Sequence, residues 1–310
     1  MYRVRHQIGY DTHFFWRENP ENYAVAVVDS GIIRHPDLKE QVIAFYDFSN
    51  EKSDDCIDYF GHGTHVAGCL AGDGRCLNGR YHGICPTAKL VILKVLNRNG
   101  LGEAKWLIEA LKYILENYKK WNIKIVNLSL GVEKEVSDAS LSVIIQLVNA
   151  IIRKNILVVC AAGNYGPENN TIYGIGKLQD VITVGCYDGI YEKINATNNC
   201  RMFSGRGDKR STIIKPDIVA PGTKIISCNN APEKLRNGKI RNAYIEKSGT
   251  SMAAPIISGV LMGILLNYPS ISPREAQKMV LSLATDIGYE KNVQGNGFVN
   301  CKKIVNYKII

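Results

Sequence analysis

The chain has 310 residues, of which 45% are hydrophobic and 22% charged, a composition typical of a globular protein with a sizeable core. The formal net charge of +9 is scattered and not interleaved with aromatic residues, which excludes an obvious nucleic-acid surface and indicates a solvated basic one. The N-terminus has no apolar signal-peptide core, and the longest apolar run, 260–266, is too short for a membrane span, so we expect no membrane partner.

The nine cysteines are odd in number, and their spacings match no zinc-ligand pattern and no C-x-x-C pair. Cys160 and Cys186 lie inside apolar runs, so we predict that they are small buried hydrophobic residues. Unpatterned cysteines are typical of a reducing compartment. Together with the missing signal peptide, they predict a cytoplasmic location.

Apolar, β-branched runs alternate with helical patterns in chain order. Strands are predicted at 23–31, 88–96, 124–131, 156–164, 180–188 and 215–222. Helices are predicted at 106–120, 140–155, 251–268 and 272–285. This alternation predicts a single α/β domain, with a mostly parallel central sheet covered by helices on both faces. Residues 1–22 would form a short N-terminal extension to a domain that spans 23–310.

Four polar residues follow predicted strands or open a predicted helix. In parallel sheets, the functional residues usually lie at the carboxyl ends of the strands. Asp29 ends the first strand, and His62 stands between glycines in GHGTHVAG, residues 61–68. Asn164 ends the strand ILVVCAAGN, and Ser251 opens the apolar helix that follows GTSMAAP. The four residue types can serve one reaction if the fold brings them together.

Each of these residues also has a structural interpretation when it is taken alone. Asp29 can form an Asx turn at its strand end, and Asn164 is a common turn former. His62 and His65, three residues apart, could form a metal pair on a helix, although no matching third ligand is evident. Ser251 could simply cap its helix.

Taken together, the residues supply the parts of an acyl-transfer site. A serine hydroxyl is a poor nucleophile until a histidine accepts its proton, and an aspartate holds that histidine in the required tautomer. An asparagine amide and backbone N–H groups at a helix start can stabilise an oxyanion. We predict that Ser248 and Thr250 serve only as local hydrogen-bonding partners, and that Pro255 lies in the first turn of the helix.

The order Asp29, His62, Ser251, in VVDSGI, GHGTHVAG and GTSMAAP, resembles the subtilisin-like serine proteases, the subtilases. The resemblance covers about residues 23 to 304 and includes HPDL, NLSLG, AAGN, KPDIVAPG and QGNGFVN. Within the family, the chain is most similar to the intracellular, AprX-like bacterial branch.

The resemblance implies a serine endopeptidase that forms an acyl-enzyme. Ser251 would be the nucleophile, His62 the general base and then acid, and Asp29 the residue that orients it. The Asn164 side chain and the Ser251 backbone N–H would form the oxyanion hole, whereas His65 would be structural. The alternative is a catalytically silent subtilase fold that acts as a binding or signalling module. An esterase would need G-x-S-x-G, which Ser251 does not occupy.

The resemblance also implies a polypeptide substrate that binds as an added strand. The edges of that strand would be formed by Gly100, Leu101 and Gly102 on one side and by Ser129, Leu130 and Gly131 on the other. Residues 129–131 and 161–163, with Ala161 and Gly163, would wall the pocket before the scissile bond, S1. Leu96 and Leu107 would wall S4, four residues before that bond.

Val132 and Tyr165 depart from the usual family residues next to S1, so we expect an apolar, extended substrate without predicting one P1 residue. No cofactor is expected for catalysis. Asp54, Asp55 and Asp58 could hold a structural calcium ion, or they could form a solvated acidic turn. Residues 1–21 lead to a further hypothesis, that the N-terminal segment lies over the site as a blocker.

Overall fold

The computed structural model describes residues 1–130, 136–188 and 200–307. Its core is a parallel sheet of seven strands in the order β2-β3-β1-β4-β5-β6-β7. The strands are β1 Ala24–Asp29, β2 Val42–Asp47, β3 Lys89–Lys94, β4 Ile123–Leu128, β5 Leu157–Ala161, β6 Ile182–Cys186 and β7 Ile218–Ala220. The predicted α/β fold with a parallel central sheet is confirmed.

Helices cover both faces of the sheet, and a small antiparallel region precedes the long helix α6. The helices are α1 Tyr2–Ile8, α2 Thr12–Phe15, α3 His62–Ala71, α4 Ala104–Asn117, α5 Asp138–Arg153, α6 Thr250–Asn267, α7 Pro273–Ser282, α8 Lys291–Gln294 and α9 Cys301–Val305. In the antiparallel region, β8 Ile225–Cys228 pairs with β11 Tyr244–Lys247, and β9 Glu233–Lys234 pairs with β10 Ile240–Arg241.

Strand β1 is apolar at every position before Asp29. Val25 and Val27 belong to the core on the side of α3 and α6, whereas Ala26 and Val28 belong to the core on the side of α4 and α5. Both faces of the strand are therefore covered, and a polar side chain has no exposed face to occupy. The first polar residue, Asp29, comes where the strand ends.

Helix α6 is the central element of one layer. It is long and apolar enough to cross a membrane by length and composition, but 83% of it is buried inside the protein, as in a core helix. Because it begins at Thr250, Pro255 is its sixth residue. The prediction that Pro255 lies in the first turn was therefore wrong.

The N-terminal segment packs into the same core as α6. Val4, Ile8 and Phe15 are buried, and the Phe15 ring lies where a Cβ at Gly263 would stand. The Tyr10 hydroxyl donates to the Ile84 carbonyl at 3.0 Å. These contacts fix the segment on the helical layer of α6.

One prediction about the cysteines was wrong. Cys186, at the end of β6, forms a disulfide with Cys200, and the two Cα atoms lie 5.2 Å apart, within the usual range. The fold brings together residues whose separation of 14 in sequence follows no recognised pattern. Cys160 is a buried free thiol, as predicted.

Candidate active site

Two neighbouring elements bring a carboxylate and an imidazole together. Strand β1 ends at Asp29 and helix α3 begins at His62, so that Asp29 Oδ1 lies 2.7 Å from His62 Nδ1. Asp29 is fully buried, and its Oδ1 also accepts the backbone N–H of Ser30. A Cβ at position 63 would lie 2.2 Å from the Gly31 carbonyl oxygen, so Gly63 is required for α3 to approach β1 this closely.

The surroundings of His62 favour its charged form. Burial is the largest single influence and lowers the pKa of His62, but the charge and the hydrogen bond of Asp29 act in the opposite direction. The net result is a pKa above the ordinary histidine value. The pair is therefore suited to hold a proton that arrives at the other ring nitrogen.

Asp58 accepts four hydrogen bonds that hold the segments carrying Asp29 and His62 in place. Its Oδ1 accepts the Ser30 hydroxyl and the Gly61 backbone N–H, both at 2.7 Å. Its Oδ2 accepts the Thr64 backbone N–H at 2.8 Å and the Thr64 hydroxyl at 2.7 Å. Asp58 thus ties the residue after Asp29 to the first turn of α3, which carries His62. Its interpretation as a turn residue missed this role.

The same contacts bear on the proposed calcium site. Four donors already surround the two Asp58 oxygens, and Asp55 pairs with Arg34 at 2.6 Å. Asp54 is exposed. Calcium prefers six to eight oxygen ligands. Residues 54–58 do not fit such a site, because Asp58 has no oxygen free of a donor.

On the other side of the site, Thr250 orients the amide of Asn164. Asn164 Oδ1 accepts the Thr250 backbone N–H at 3.0 Å and the Thr250 hydroxyl at 3.1 Å. The same hydroxyl oxygen accepts the Gly163 N–H at 3.1 Å. The amide oxygen is thereby fixed, and the Nδ2 hydrogens are left to donate elsewhere. Thr250 is more than the local partner that we predicted, because it contacts a residue 86 positions away.

The backbone of Ser251 is held by buried neutral side chains. In α6 the Ser251 carbonyl would accept the N–H of residue 255, but Pro255 has none. The Ser129 hydroxyl donates to that carbonyl instead, at 2.9 Å. Ser129 Oγ accepts from Asn127, and Asn127 accepts from Ser258, each at 2.9 Å. The proline thus leaves an acceptor that this relay satisfies.

His62, Asn164 and Ser251 line one cleft. Among the described residues, no hydrogen bond joins the Ser251 hydroxyl to the His62 ring. His65 lies apart, because its Nε2 is 2.9 Å from the Ile225 carbonyl oxygen. Burial lowers the pKa of His65 to about 3, so it stays neutral. With Nε2 bonded to that carbonyl and Nδ1 3.7 Å from Cys69 Sγ, neither ring nitrogen of His65 is free for a metal ion shared with His62.

The cleft has a volume of roughly 820 Å³. Its lining includes nine predicted substrate-binding residues: Leu96, Gly100, Leu101, Gly102, Leu107, Ser129, Leu130, Ala161 and Gly163. Gly131 and Val132 lie outside the described residues. Leu96 and Gly102 form an antiparallel bridge, so 96–102 is a hairpin whose edge borders the cleft. The roles of these residues stay predictions.

No motif in the sequence marks the deeper cleft wall. Val136, just before α5, and Ile144, within it, contribute to this wall, and Ile175 contributes from a separate part of the chain. Tyr165 and Tyr173 also line the cleft, with their rings edge to face and 5.9 Å apart. The effect of Tyr165 on S1 stays a prediction, and its contact with Tyr173 makes this part of the cleft lining aromatic.

The described cleft lining includes no residue from 1–22. The hypothesis that the N-terminal segment covers the site is therefore wrong for this structure. The apolar side chains of α1 and α2 already have partners in the core around α6, which holds the segment away from the cleft.

Comparison with known proteins extends these observations. The model of the Subtilase family matches residues 21–298. Serine protease AprX of Bacillus subtilis is 37% identical over 296 residues, which are 91% of this chain. The chain spans 65% of the length of AprX. The Major intracellular serine protease of Bacillus subtilis is 32% identical over 290 residues, covering 90% of this chain and 81% of that protein.

Two solved protease structures have a similar fold. Sphericase superposes with a TM-score of 0.77 at 27% identity and covers 96% of both chains. The S41 Psychrophilic Protease superposes with a TM-score of 0.75 at 30% identity, covering 90% of this chain and 91% of its own. The predicted likeness to AprX and to intracellular serine proteases is confirmed.

Proposed function

The chain belongs to the subtilase family of serine proteases, and on that premise we propose that it hydrolyses polypeptides as an endopeptidase through an acyl-enzyme at Ser251. The observation that carries this proposal is the buried Asp29–His62 hydrogen bond of 2.7 Å at the cleft that Ser251 and Asn164 line. No other cluster in the described residues combines a base, its orienting carboxylate and an oxyanion donor beside a serine.

The reaction would proceed in two halves. His62 Nε2 accepts the Ser251 hydroxyl proton as Ser251 Oγ attacks the scissile carbonyl, and Asp29 stabilises the resulting imidazolium. The oxyanion accepts hydrogen bonds from Asn164 Nδ2 and the Ser251 N–H. His62 then gives the proton to the leaving amine as the C–N bond breaks, and water releases the acyl group by the same steps. Loss of the asparagine donor lowers kcat about 10²–10³-fold in subtilisin itself.

Labelling with a fluorophosphonate probe tests the proposal. We expect labelling of the wild-type protein and none of Ser251→Ala. Ser248→Ala is the matched control, because Ser248 is exposed and its hydroxyl accepts only the Lys224 N–H in the described structure. Casein cleavage should follow the same order. A well-folded wild-type protein that is neither labelled nor active would contradict the proposal and favour the catalytically silent alternative.

The cleft also supports proposals about substrate and conditions. Its leucine, isoleucine and aromatic lining favours an extended substrate with apolar residues before the scissile bond. No metal enters the proposed steps, so activity should persist in a chelator. A strict preference for a charged P1 residue in a peptide library would contradict the first of these proposals.

We also propose a cytoplasmic location. Relatives named intracellular serine proteases support it. The seven free cysteines of the described residues agree with a reducing compartment, whereas the Cys186–Cys200 disulfide is uncommon in one. Cell fractionation with an antibody against the chain would test it. Recovery of the protein from the culture medium would contradict it.

A further inference from the structure

Two aromatic residues immediately precede the glycine before His62, and each lies beneath a cation. The Arg98 guanidinium is 4.9 Å from the centre of the Tyr59 ring. The Lys247 ammonium is 5.8 Å from the centre of the Phe60 ring. Tyr59 and Phe60 are adjacent in the chain, so the two cations contact the same short segment.

The two cations differ in their charge partners. Arg98 forms an ion pair with Glu51 at 3.1 Å. For Lys247, no carboxylate lies within 4 Å among the described residues. Lys247 is half-buried at the end of β11, and only a short turn separates it from Ser251. An unpaired ammonium is therefore held in a partly buried position beside the catalytic elements.

Phe60 connects this ammonium to the cleft. Its ring centre is 6.2 Å from that of His62. It also rests directly on Gly100, where a Cβ would lie only 2.5 Å from Phe60 Cζ. Phe60 and His62 both line the cleft, and its described lining does not include Lys247 itself. Lys247 thus lies next to the edge of the cleft that Phe60 and His62 form.

The direction of the substrate follows from the chemistry. The carbonyl side of the scissile bond must lie with Asn164, which binds the oxyanion. The amine side must lie with His62, which returns the proton to it. Residues that follow the scissile bond therefore leave the cleft on the His62 side. Burial and Asp29 influence the pKa of His62 most, but Lys247 is also close enough to His62 for its charge to lower that pKa.

We propose that Lys247, held over Phe60, selects substrates with an acidic side chain at the first or second position after the scissile bond. The inference rests on the proposed protease function and adds a specificity to it. A carboxylate at either position would supply the partner that Lys247 lacks. A partly buried pair of this kind is stronger than one in open solvent, so we expect about a tenfold effect.

A positive charge next to His62 also opposes the imidazolium that forms during the reaction. A substrate carboxylate that neutralises Lys247 would remove this effect while the substrate is bound. The preference should therefore appear in kcat as well as in KM, and it should shrink as salt concentration rises.

Internally quenched peptides test the proposal. The peptides are identical except for Glu, Gln or Lys at the first or second position after the cleaved bond, and kcat/KM is measured for each. A p-nitroanilide with the same residues before the bond, and none after it, measures the chemistry alone. The variants are Lys247→Gln, Lys247→Glu and the matched control Lys239→Gln, which removes the same charge from an exposed position.

We expect wild-type protein and Lys239→Gln to cleave the Glu peptide about ten times faster than the Lys peptide at one of the two positions. The ratio should fall to within about twofold in Lys247→Gln and should reverse in Lys247→Glu. Equal rates for the three peptides in the wild type, with the anilide hydrolysed, would overturn this inference alone. The same holds for a preference that survives in Lys247→Gln. If folded wild-type protein hydrolysed neither the anilide nor any peptide, both proposals would fail.

Discussion

The two halves of the site are supported by different chemistry. The His62 half contains two buried carboxylates, Asp29 and Asp58. Asp29 is hydrogen-bonded to the His62 ring, and Asp58 accepts from backbone N–H groups and hydroxyls. Beneath Ser251 and Asn164, the described supports are neutral: the Thr250 hydroxyl and a relay through Ser129.

This difference matches the charge that each half would meet. An imidazolium forms in the His62 half, and fixed negative charge stabilises it. An oxyanion forms in the Ser251 half, where a buried carboxylate would repel it. Neutral hydroxyls and amides can fix the geometry there without adding charge. The comparison therefore predicts that damage to the charged half changes the pH profile, whereas damage to the neutral half lowers the rate at every pH.

Asp58→Asn should give the largest effect, because it damages the charged half. The new NH2 group would face either the Gly61 N–H or the Thr64 N–H, so two donors would meet in a buried position. We expect a loss of about 2–4 kcal/mol in the free energy of unfolding, measured in urea. Because the first turn of α3 carries His62, we also expect kcat/KM to fall about 100-fold.

The pH profile provides the distinguishing measurement for Asp58→Asn. Catalysis needs neutral His62, so wild-type activity should fall with acidification at a higher pH than an ordinary histidine would give, since the pKa of His62 is raised. Burial and Asp29 influence that pKa more, but the Asp58 charge also raises it. The acid limb should therefore move to lower pH in Asp58→Asn. A limb that stays in place would contradict an electrostatic role for Asp58.

Thr250→Val should give a smaller effect, because it changes the neutral half. Valine keeps the shape but cannot donate to Asn164 Oδ1 or accept from the Gly163 N–H. We expect kcat to fall about 30-fold, less than the loss from removing the asparagine itself, with KM nearly unchanged. Thr250→Ser, which keeps the hydroxyl, should recover most of the rate. A shifted acid limb in Thr250→Val would break the distinction between the two halves.

The sequence predicted the residues that motifs mark, but not those that support them. Asp29 ends a strand, Asn164 follows one, and His62 and Ser251 lie in the first turn of a helix, so local patterns locate them. The partners of Thr250 lie 86 and 87 positions away, which no local pattern reveals. The same is true of Asp58, which was interpreted from its neighbours alone.

Two parts of the fold were missed. Strand β2, Val42–Asp47, was not predicted although VIAFY is a continuous apolar run, and it lies at the edge of the sheet, where each of its residues is only half-buried. The disulfide of Cys186 depends on tertiary contact and has no sequence signal. Conversely, the strands β1 and β5 were predicted well, since burial on both faces favours continuous apolar runs.

The smallest expected effect concerns the Ser251 carbonyl, and a second substitution should restore much of the lost activity. Ser129→Ala removes the donor that replaces the missing N–H of Pro255, so the carbonyl would lose its partner. We expect kcat to fall about three- to tenfold, because a buried acceptor without a partner costs free energy and the first turn of α6 can shift.

The double variant Ser129→Ala/Pro255→Ala should recover much of that rate, because an alanine in place of the proline restores the helical N–H that the Ser251 carbonyl would otherwise use. Pro255→Ala alone is the matched control and should change kcat little, since Ser129 still serves the carbonyl. If the double variant were no faster than Ser129→Ala, the hydroxyl of Ser129 would act through the substrate wall and not through the Ser251 backbone. That result would mean that Ser129 contributes to substrate binding in the cleft and not to the position of Ser251.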